Sequence, residues 1–485
     1  MLSSVIQAPG KERKFGTPLN DFFIPILILS TFFPILPHGE AGETEPCRPP
    51  GIRVRGRMQV LACRPCWHLF FIMYIGSMLA TPEWIFETTQ QGWLRDAIAQ
   101  SGSLPIYRRH GLFLEPELDR LPILTKKEMR EGFPDNFLPQ ASLDDLLSKS
   151  LVELEHTSGT SEERLPVFFE RGWWDRQEAK ALRMNESIRQ CLEGVQAPRR
   201  ATLTAPSCNG LTCPTVWMSR EQRTIGGTLF VNLARIPFLL TPSELQRMAR
   251  EIMEWEPTFL DLDPVHGTRF ALYCEKEGIR FPSVKFILTS YEFTSVVHRR
   301  ILSRVFQVPV WNLYGSTETG HLLMETVGGL MRPSVETAFL ELEETDDQGV
   351  GPLLVTTLSN AYMPLVRYRI GDLAQRVGSP YASHYRIHGR TRDALRSRDG
   401  RQVTTLQIDE CLSGLSGVAH YELRQEKTGH AVFRYVPDSA PPPDGELNEA
   451  IEQISALLGM PVEMVPAGTL VPAASGKFRL TIPAA

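Results

Sequence analysis

A hydroxyl and a carboxylate stand side by side in Asn312-Leu313-Tyr314-Gly315-Ser316-Thr317-Glu318, just after the apolar run Val308-Pro309-Val310-Trp311, which reads as a strand. The glycine lets the backbone turn sharply or pass close to a ligand. A hydroxyl beside a carboxylate is a pair that a magnesium-bound phosphate can use. Alone, a tyrosine–glycine turn at a strand end is simply a turn. Here it has company. Upstream lies Thr157-Ser158-Gly159-Thr160-Ser161, whose small side chains and free N–H groups can fold round phosphate oxygens as an anion nest. No Gly-Lys-Ser/Thr follows it, so it is not a kinase-type P-loop. Downstream come Tyr368-Arg369-Ile370-Gly371-Asp372, Gly389-Arg390 and, close to the C-terminus, Gly476-Lys477. An aspartate after a glycine at a strand end can accept from two neighbouring hydroxyls, and a glycine before a lysine frees a loop to present its ammonium.

In this order the motifs resemble the signature series of the adenylate-forming superfamily, the acyl-CoA synthetases and their relatives, and in particular the phenylacetate–CoA ligase branch. The resemblance runs from about Trp84 to the C-terminus. It implies that Thr157, Ser158, Gly159 and Thr160 cradle phosphate, and that Glu292 lies where Ser290-Tyr291-Glu292 lines the adenine. It further implies that Tyr314 packs on the adenine at the Gly315 turn, that Asn312 reaches the adenine's polar edge, and that Asp372 binds the ribose hydroxyls. Arg390 is implied at ribose or phosphate, Thr317 at the α-phosphate, Glu318 as the Mg²⁺ ligand and Lys477 as the catalytic lysine. Three positions depart from the family pattern. Glu162 stands where the second glycine of the phosphate loop is expected, Ile370 replaces a threonine, and Arg392 replaces the usual hinge acid, leaving Asp393 as the remaining carboxylate.

The activity so implied joins a carboxylic acid, aromatic in this branch, to AMP from ATP with release of pyrophosphate. A thiol of CoA or of an acyl carrier protein is then the expected acceptor. Such chemistry needs positioning and neutralised charge rather than a protein nucleophile. Two other readings stay open: a nucleotidyl transferase that stops at the adenylate, and a non-catalytic nucleotide-binding homologue.

The elements that must carry these residues alternate. Apolar spacing predicts a helix over 81–101 (Trp84, Ile85, Trp93, Leu94, Ile98), and Thr125 reads as an N-cap before a short helix at Lys126. Further helices are expected from about Trp173 to Leu192, from Pro242 to Glu254 under a Thr241 cap, from Val265 to Glu277 and from Thr294 to Phe306. Strands are expected at Val167–Phe169, Ala201–Thr204, Thr258–Leu262 and Val284–Leu288. This alternation implies an α/β domain with a mostly parallel sheet, whose ligands sit beyond the carboxyl ends of the strands. From Glu336 to Val377 short strands without helices suggest a small β subdomain. After Asp393 a small, mobile α+β C-terminal domain is expected, with a strand at Ala431–Tyr435 and a helix at Gly445–Leu458. The expected division is 1–77 as an unstructured or non-native extension, 78–390 as the large domain and 391–485 as a lid.

Composition excludes several classes. With 485 residues and 42% hydrophobic content the chain can build a sizeable core. Its 51 basic and 56 acidic residues leave a charge of −5, against a general nucleic-acid binder. The apolar stretch Phe22–Leu36 is broken by Pro25 and Pro34 and is shorter than a membrane helix requires, so no firm membrane association is expected. Eight cysteines without a scaffold rhythm fit a reducing cytoplasm. Cys63 and Cys66 have the spacing of half a zinc site with no matching half, and Cys208 and Cys213 read as packed thiols. The expected partners are a small carboxylic acid and, for the acyl group, CoA or a carrier protein. A homodimer is compatible with this reading.

Overall fold

The computed structural model describes residues 52–54, 58–60, 82–108, 118–157, 164–204, 218–378 and 383–484. The chain divides into a unit of Gly16–Thr89 and another of Met1–Phe15 with Gln90–Ala485. In the first, Ile52–Val54 pairs antiparallel with Met58–Val60, within the extension expected to be unstructured. The proposed cysteine pairs at 63/66 and 208/213, and Ser158, Gly159, Thr160 and Glu162, lie outside the described residues.

The second unit is built on a 12-stranded sheet. Thr228–Phe230, Arg200–Leu203, Phe259–Leu262, Phe286–Thr289 and Val310–Ser316 lie side by side and parallel. Helices Pro242–Trp255, Pro264–Lys276 and Val296–Phe306 make the crossovers that parallel pairing demands. Each begins on a side chain that meets the first free N–H groups. Thr241 forms a capping box with Glu244 after Pro242, Asp263 accepts from Val265 and His266, and Ser295 accepts from Val297. The last helix is capped by Ser295 and starts at Val296, two residues beyond the start at Thr294 expected from sequence.

Past Val310–Ser316 the pairing changes sense. Gly320–Glu325, Met331–Pro333, His384–Arg390, Tyr368–Val377, Val350–Thr357 and Ala338–Leu342 follow as antiparallel neighbours. The α/β class holds, but the sheet is mixed rather than mostly parallel. The strands expected as a separate β subdomain continue the same sheet, because the short strand Met331–Pro333 bridges Gly320–Glu325 to His384–Arg390. Antiparallel neighbours need no crossover helix, and among the described residues no α-helix interrupts this half. The expected helix Trp173–Leu192 is two, Trp173–Arg183 and Glu186–Leu192. Asn185 breaks it, capping Ile188 and donating its amide to the Glu325 carbonyl at 2.8 Å.

The C-terminal part is α+β. Strands Val462–Pro466, Ala431–Pro437, Val418–Gln425 and Thr481–Ile482 form a sheet, and helix Asp444–Leu458 buries Leu447, Ile451, Ile454 and Leu458. It meets the large sheet's last crossover helix, Val296–Phe306. Val297 packs into the C-terminal core, while Ala419 and Val436 pack into the large one. Arg300 donates to the carbonyls of Leu415 and Ser413, and Arg304 pairs with Asp438 at 2.9 Å. Among the described residues no helix is long and apolar enough to cross a membrane.

Candidate active site

The strand Val310–Ser316 is the last parallel strand and the first antiparallel one, and the candidate residues gather at its carboxyl end. Gly315 is required there by space. A Cβ at that position would meet the Gly320 carbonyl oxygen at 2.1 Å, because the returning strand Gly320–Glu325 passes directly over it.

Tyr314 donates its phenol to Asp372 Oδ2 at 2.7 Å, and Arg390 Nε lies 3.2 Å from Asp372 Oδ1. Strand pairing makes this meeting unavoidable, since Asp372 and Arg390 are direct cross-strand partners. Arg390 also donates to the Ile370 carbonyl at 3.3 Å. Burial, reinforced by the Asp372 carboxylate, holds the Tyr314 phenol well above its ordinary range. The Asp372 carboxylate outweighs burial at Arg390 and keeps its guanidinium charged.

Glu318 is buried at 3% exposure in the turn that follows. Its Oε1 accepts from Tyr368 Oη at 2.8 Å and pairs with Lys126 Nζ at 3.0 Å. Burial pushes its carboxyl up, but the Lys126 charge and the two hydrogen bonds outweigh it, so the group titrates below the usual carboxylate range. Lys126 is delivered by the element before it. Leu124 is bonded into the strand Tyr368–Val377, with its N–H donating to the Arg367 carbonyl and its own carbonyl accepting from Arg369. Thr125 then forms a capping box with Glu128, turning the helix that starts at Lys126 toward Glu318. The same two segments carry both clusters, Tyr314 with Glu318 on one and Tyr368 with Asp372 on the other, so the two form one polar patch.

Lys477 has other partners. Its Nζ donates to the Tyr291 carbonyl at 2.8 Å, and the neighbouring Phe478 N–H donates to Glu292 Oε1 at 2.8 Å. Glu292 is thus a half-buried carboxyl under the C-terminal loop. Burial first, then Asp263 beside it, drives it well above the carboxylate range. Tyr291 has a positive φ of 73° and donates its phenol to Asp261 Oδ2 at 2.8 Å. Asp261 also accepts from Ser290 and faces Arg200, which is clamped by Glu178.

The remaining candidates are placed less directly. Thr157 spends its hydroxyl oxygen on the hairpin base, accepting from Leu165 N–H at 3.0 Å. Asn312 engages through its backbone N–H, which donates to Glu325 Oε2 at 2.7 Å. Thr317 lies in the turn between Ser316 and Gly320. Arg392 lies beside Asp393, whose carboxylate accepts from Arg479 Nε at 2.7 Å. Sequence reasoning gave no role to Lys126, Tyr368 or Asp261. Tyr368 opens the motif that ends at Asp372, and Lys126 is the first residue of a capped helix, but nothing in the sequence marked Asp261.

Among the described residues no group of three or more His, Cys, Asp or Glu is arranged to hold a metal. Glu318 alone, ionised and buried, fits a Mg²⁺ ion that takes most of its ligands from phosphate and water.

No protein-family model matches the chain. Protein CapK of Staphylococcus aureus is 24% identical over 176 residues, covering 35% of this chain and 39% of that protein, so the match spans well under half of this curated relative. Among solved structures, 2-hydroxyisobutyryl-CoA ligase in the postadenylation state, in complex with R3-HIB-AMP, superposes with a TM-score of 0.58. That alignment has 16% identity and covers 82% of this chain and 89% of the ligase. An acyl acid amido synthetase in complex with 2,4-DB gives a TM-score of 0.52 at 13% identity over 79% of this chain and 87% of its own. The chain is built on the fold of the adenylate-forming enzymes.

Proposed function

We propose that the chain activates a carboxylic acid with ATP as an acyl-adenylate, releasing pyrophosphate, and then passes the acyl group to a thiol. The observation that carries this reading is the joined patch of Tyr314, Asp372 and Arg390 with Glu318, Tyr368 and Lys126. Its first half offers a carboxylate acceptor and a guanidinium for a ribose and its phosphate, and an aromatic face for a base. Its second half offers a buried carboxylate and an ammonium at the phosphate end. Mg²⁺ bound by Glu318 would neutralise phosphate charge. Lys126 already balances Glu318, and it would either share that duty or turn to a phosphate oxygen.

Attack by the substrate carboxylate on the α-phosphate needs alignment and neutralised charge. Thr317 would steady the α-phosphate, and Lys477 would reach the reacting oxygens when the segment 391–485 acts as a lid. Thr157 would anchor the phosphate loop formed by Ser158, Gly159 and Thr160, while Asn312 and Glu292 border the base. The motif likeness to phenylacetate–CoA ligases supports an aromatic acid and CoA as acceptor, with an acyl carrier protein as the other candidate thiol. The free thiols Cys191, Cys274 and Cys411 agree with a reducing cytoplasmic setting.

The test mixes the protein with ATP, Mg²⁺ and a panel of aryl and aliphatic acids and follows pyrophosphate. CoA is then added and thioester measured. Release that depends on an acid supports the reading. A chain that binds ATP yet releases nothing with any acid contradicts it.

A further inference from the structure

Phe478, the residue after the candidate lysine, is surrounded by imidazoles. His420 on strand Val418–Gln425 meets its ring edge-on with centres 4.9 Å apart, and His266 on helix Pro264–Lys276 meets it at 6.5 Å. His298, from helix Val296–Phe306, stacks on His420 at 5.2 Å, and its Nε2 lies 3.1 Å from His420 Nδ1. Phe238 stacks against His420 at 6.0 Å. All three histidines are almost fully buried, at 0% to 2% exposure. Two come from the large α/β part, and His420 and Phe478 come from the C-terminal part. The socket is therefore assembled only when the two parts are in contact.

The socket also fixes what lies next to it. With the Phe478 ring seated, its N–H reaches Glu292 and the Lys477 ammonium reaches the Tyr291 carbonyl. An aromatic ring held on several sides has little freedom, so the lysine one residue away inherits that order.

The same packing is intolerant of protons. In the His298–His420 bond one ring donates and the other accepts, so a single proton lies between the two nitrogens and they cannot both be protonated there. His298 Nδ1 has no partner, and His266 Nε2 has none either, its Nδ1 being bonded to Asn232 at 2.7 Å. A proton added at either nitrogen would sit in a dry site without an acceptor. The charged groups nearby do not remedy this. Asp263 influences His266 but is drawn to Glu292, Arg299 and Arg300 on the His298 helix bond Glu325 and backbone carbonyls, and Glu422 on the His420 strand pairs with Arg424. Burial depresses all three histidines, His298 to about 3.

We propose that His298 and His420 form a positioning socket for Phe478, which seats Lys477 when the C-terminal part is docked and releases it in acid. The role given to Lys477 rests on the proposed adenylation. The docking itself does not. When the parts separate, each imidazole returns to water and to its ordinary titration near pH 6.5. A group whose docked pKa is depressed supports docking fully above its free pKa and progressively less below it. The histidines therefore disfavour docking by up to about tenfold per pH unit for each ring that gains a proton.

The experiment is hydrogen exchange of the segment 473–480 in the full chain, without nucleotide, at pH 7.5 and pH 5.5 and corrected for intrinsic exchange. His420→Phe and His298→Gln cannot take up the proton at their site. Between pH 7.5 and 5.5 the unsubstituted chain is expected to lose roughly tenfold more protection than a variant that is docked at pH 7.5 and lacks one of the two rings. Parallel pH dependences would overturn the proposal. Should both variants fail to dock, ring-labelled histidine NMR of the unsubstituted chain decides. Imidazoles that stay neutral while the segment is protected and take up protons only as protection is lost support the socket. Imidazoles that titrate near 6.5 with protection intact overturn it. A failed pyrophosphate assay would leave this result untouched, and a failed exchange result would leave adenylation standing.

Discussion

Tyr314 and Asp372 are joined by a 2.7 Å hydrogen bond between strands far apart in sequence, and Arg390 closes on the same carboxylate from the next strand. One carboxylate thus gathers an aromatic face, a phenol and a guanidinium at one end of the sheet. Asp372→Ala removes the acceptor for both and the acceptor proposed for ribose. ATP affinity should fall about tenfold to a hundredfold, the range for a charge-assisted hydrogen bond of ~1.5–3 kcal/mol. Calorimetry on the folded variant measures it. Unchanged affinity would remove Asp372 from the nucleotide site.

Lys126 and Glu318 yield a prediction in pH. Glu318 titrates below its ordinary range, chiefly because Lys126 and two hydrogen bonds outweigh its burial. Its contribution to stability is therefore present above the usual carboxylate range and is lost as pH falls through its lowered value. Lys126→Met should leave Glu318 a buried carboxyl with a raised pKa. The variant should melt lower at pH 7, and the gap to the unsubstituted chain should narrow as pH falls through the carboxylate range. Melting curves from pH 3 to 8 test this, and coincident curves would show that Lys126 does not support Glu318.

Gly315→Ala tests the crossing at the hairpin. The added Cβ would collide with backbone, the Gly320 carbonyl at 2.1 Å and the His321 Cα at 2.9 Å, and backbone cannot rotate away as a side chain can. The expected cost is roughly 3 kcal/mol or more, read as a fall in melting temperature or in soluble yield. A variant as stable as the parent would mean that the two strands separate freely there.

Asp409 joins the two parts of the fold by accepting from Ser295 Oγ, Val296 N–H and Tyr421 Oη. Burial raises it to about 6 despite these donors. An acid raised in the folded state binds its proton more tightly there, so stability from this group is gained as pH falls through 6 toward the free value near 4. This slope is opposite to that of the histidine socket. Asp409→Asn should remove it, flattening the rise in melting temperature between pH 6 and 4. An unchanged profile would show that Asp409 keeps its proton equilibrium in both states.

Much of this arrangement could be read before the fold was known, and the reasons are local. Thr241-Pro242 and the apolar spacing behind it announce a helix because capping and burial act within a few residues. The candidate motifs were legible because each is a short run beside a glycine. The roles of Lys126, Tyr368 and Asp261 were not, since they arise from contacts such as Lys126 to Glu318, made only when distant strands pair. The single mixed sheet was hidden for the same reason: the three-residue strand Met331–Pro333 carries little pattern of its own, yet it joins the two halves. The break at Asn185 was concealed by apolar spacing that continues across it.

The most direct test of the account is pyrophosphate release from ATP, with and without carboxylic acid, by the unsubstituted chain and by Lys477→Ala. The account predicts release that requires the acid and that falls ~10²–10³-fold in the variant, the usual cost of removing one preorganised charged group, while ATP affinity is almost unchanged. Thioester formation from a synthetic acyl-adenylate and CoA should survive in the same variant. Equal loss in both half-reactions would make Lys477 structural, and acid-independent or absent release by the unsubstituted chain would contradict adenylation itself.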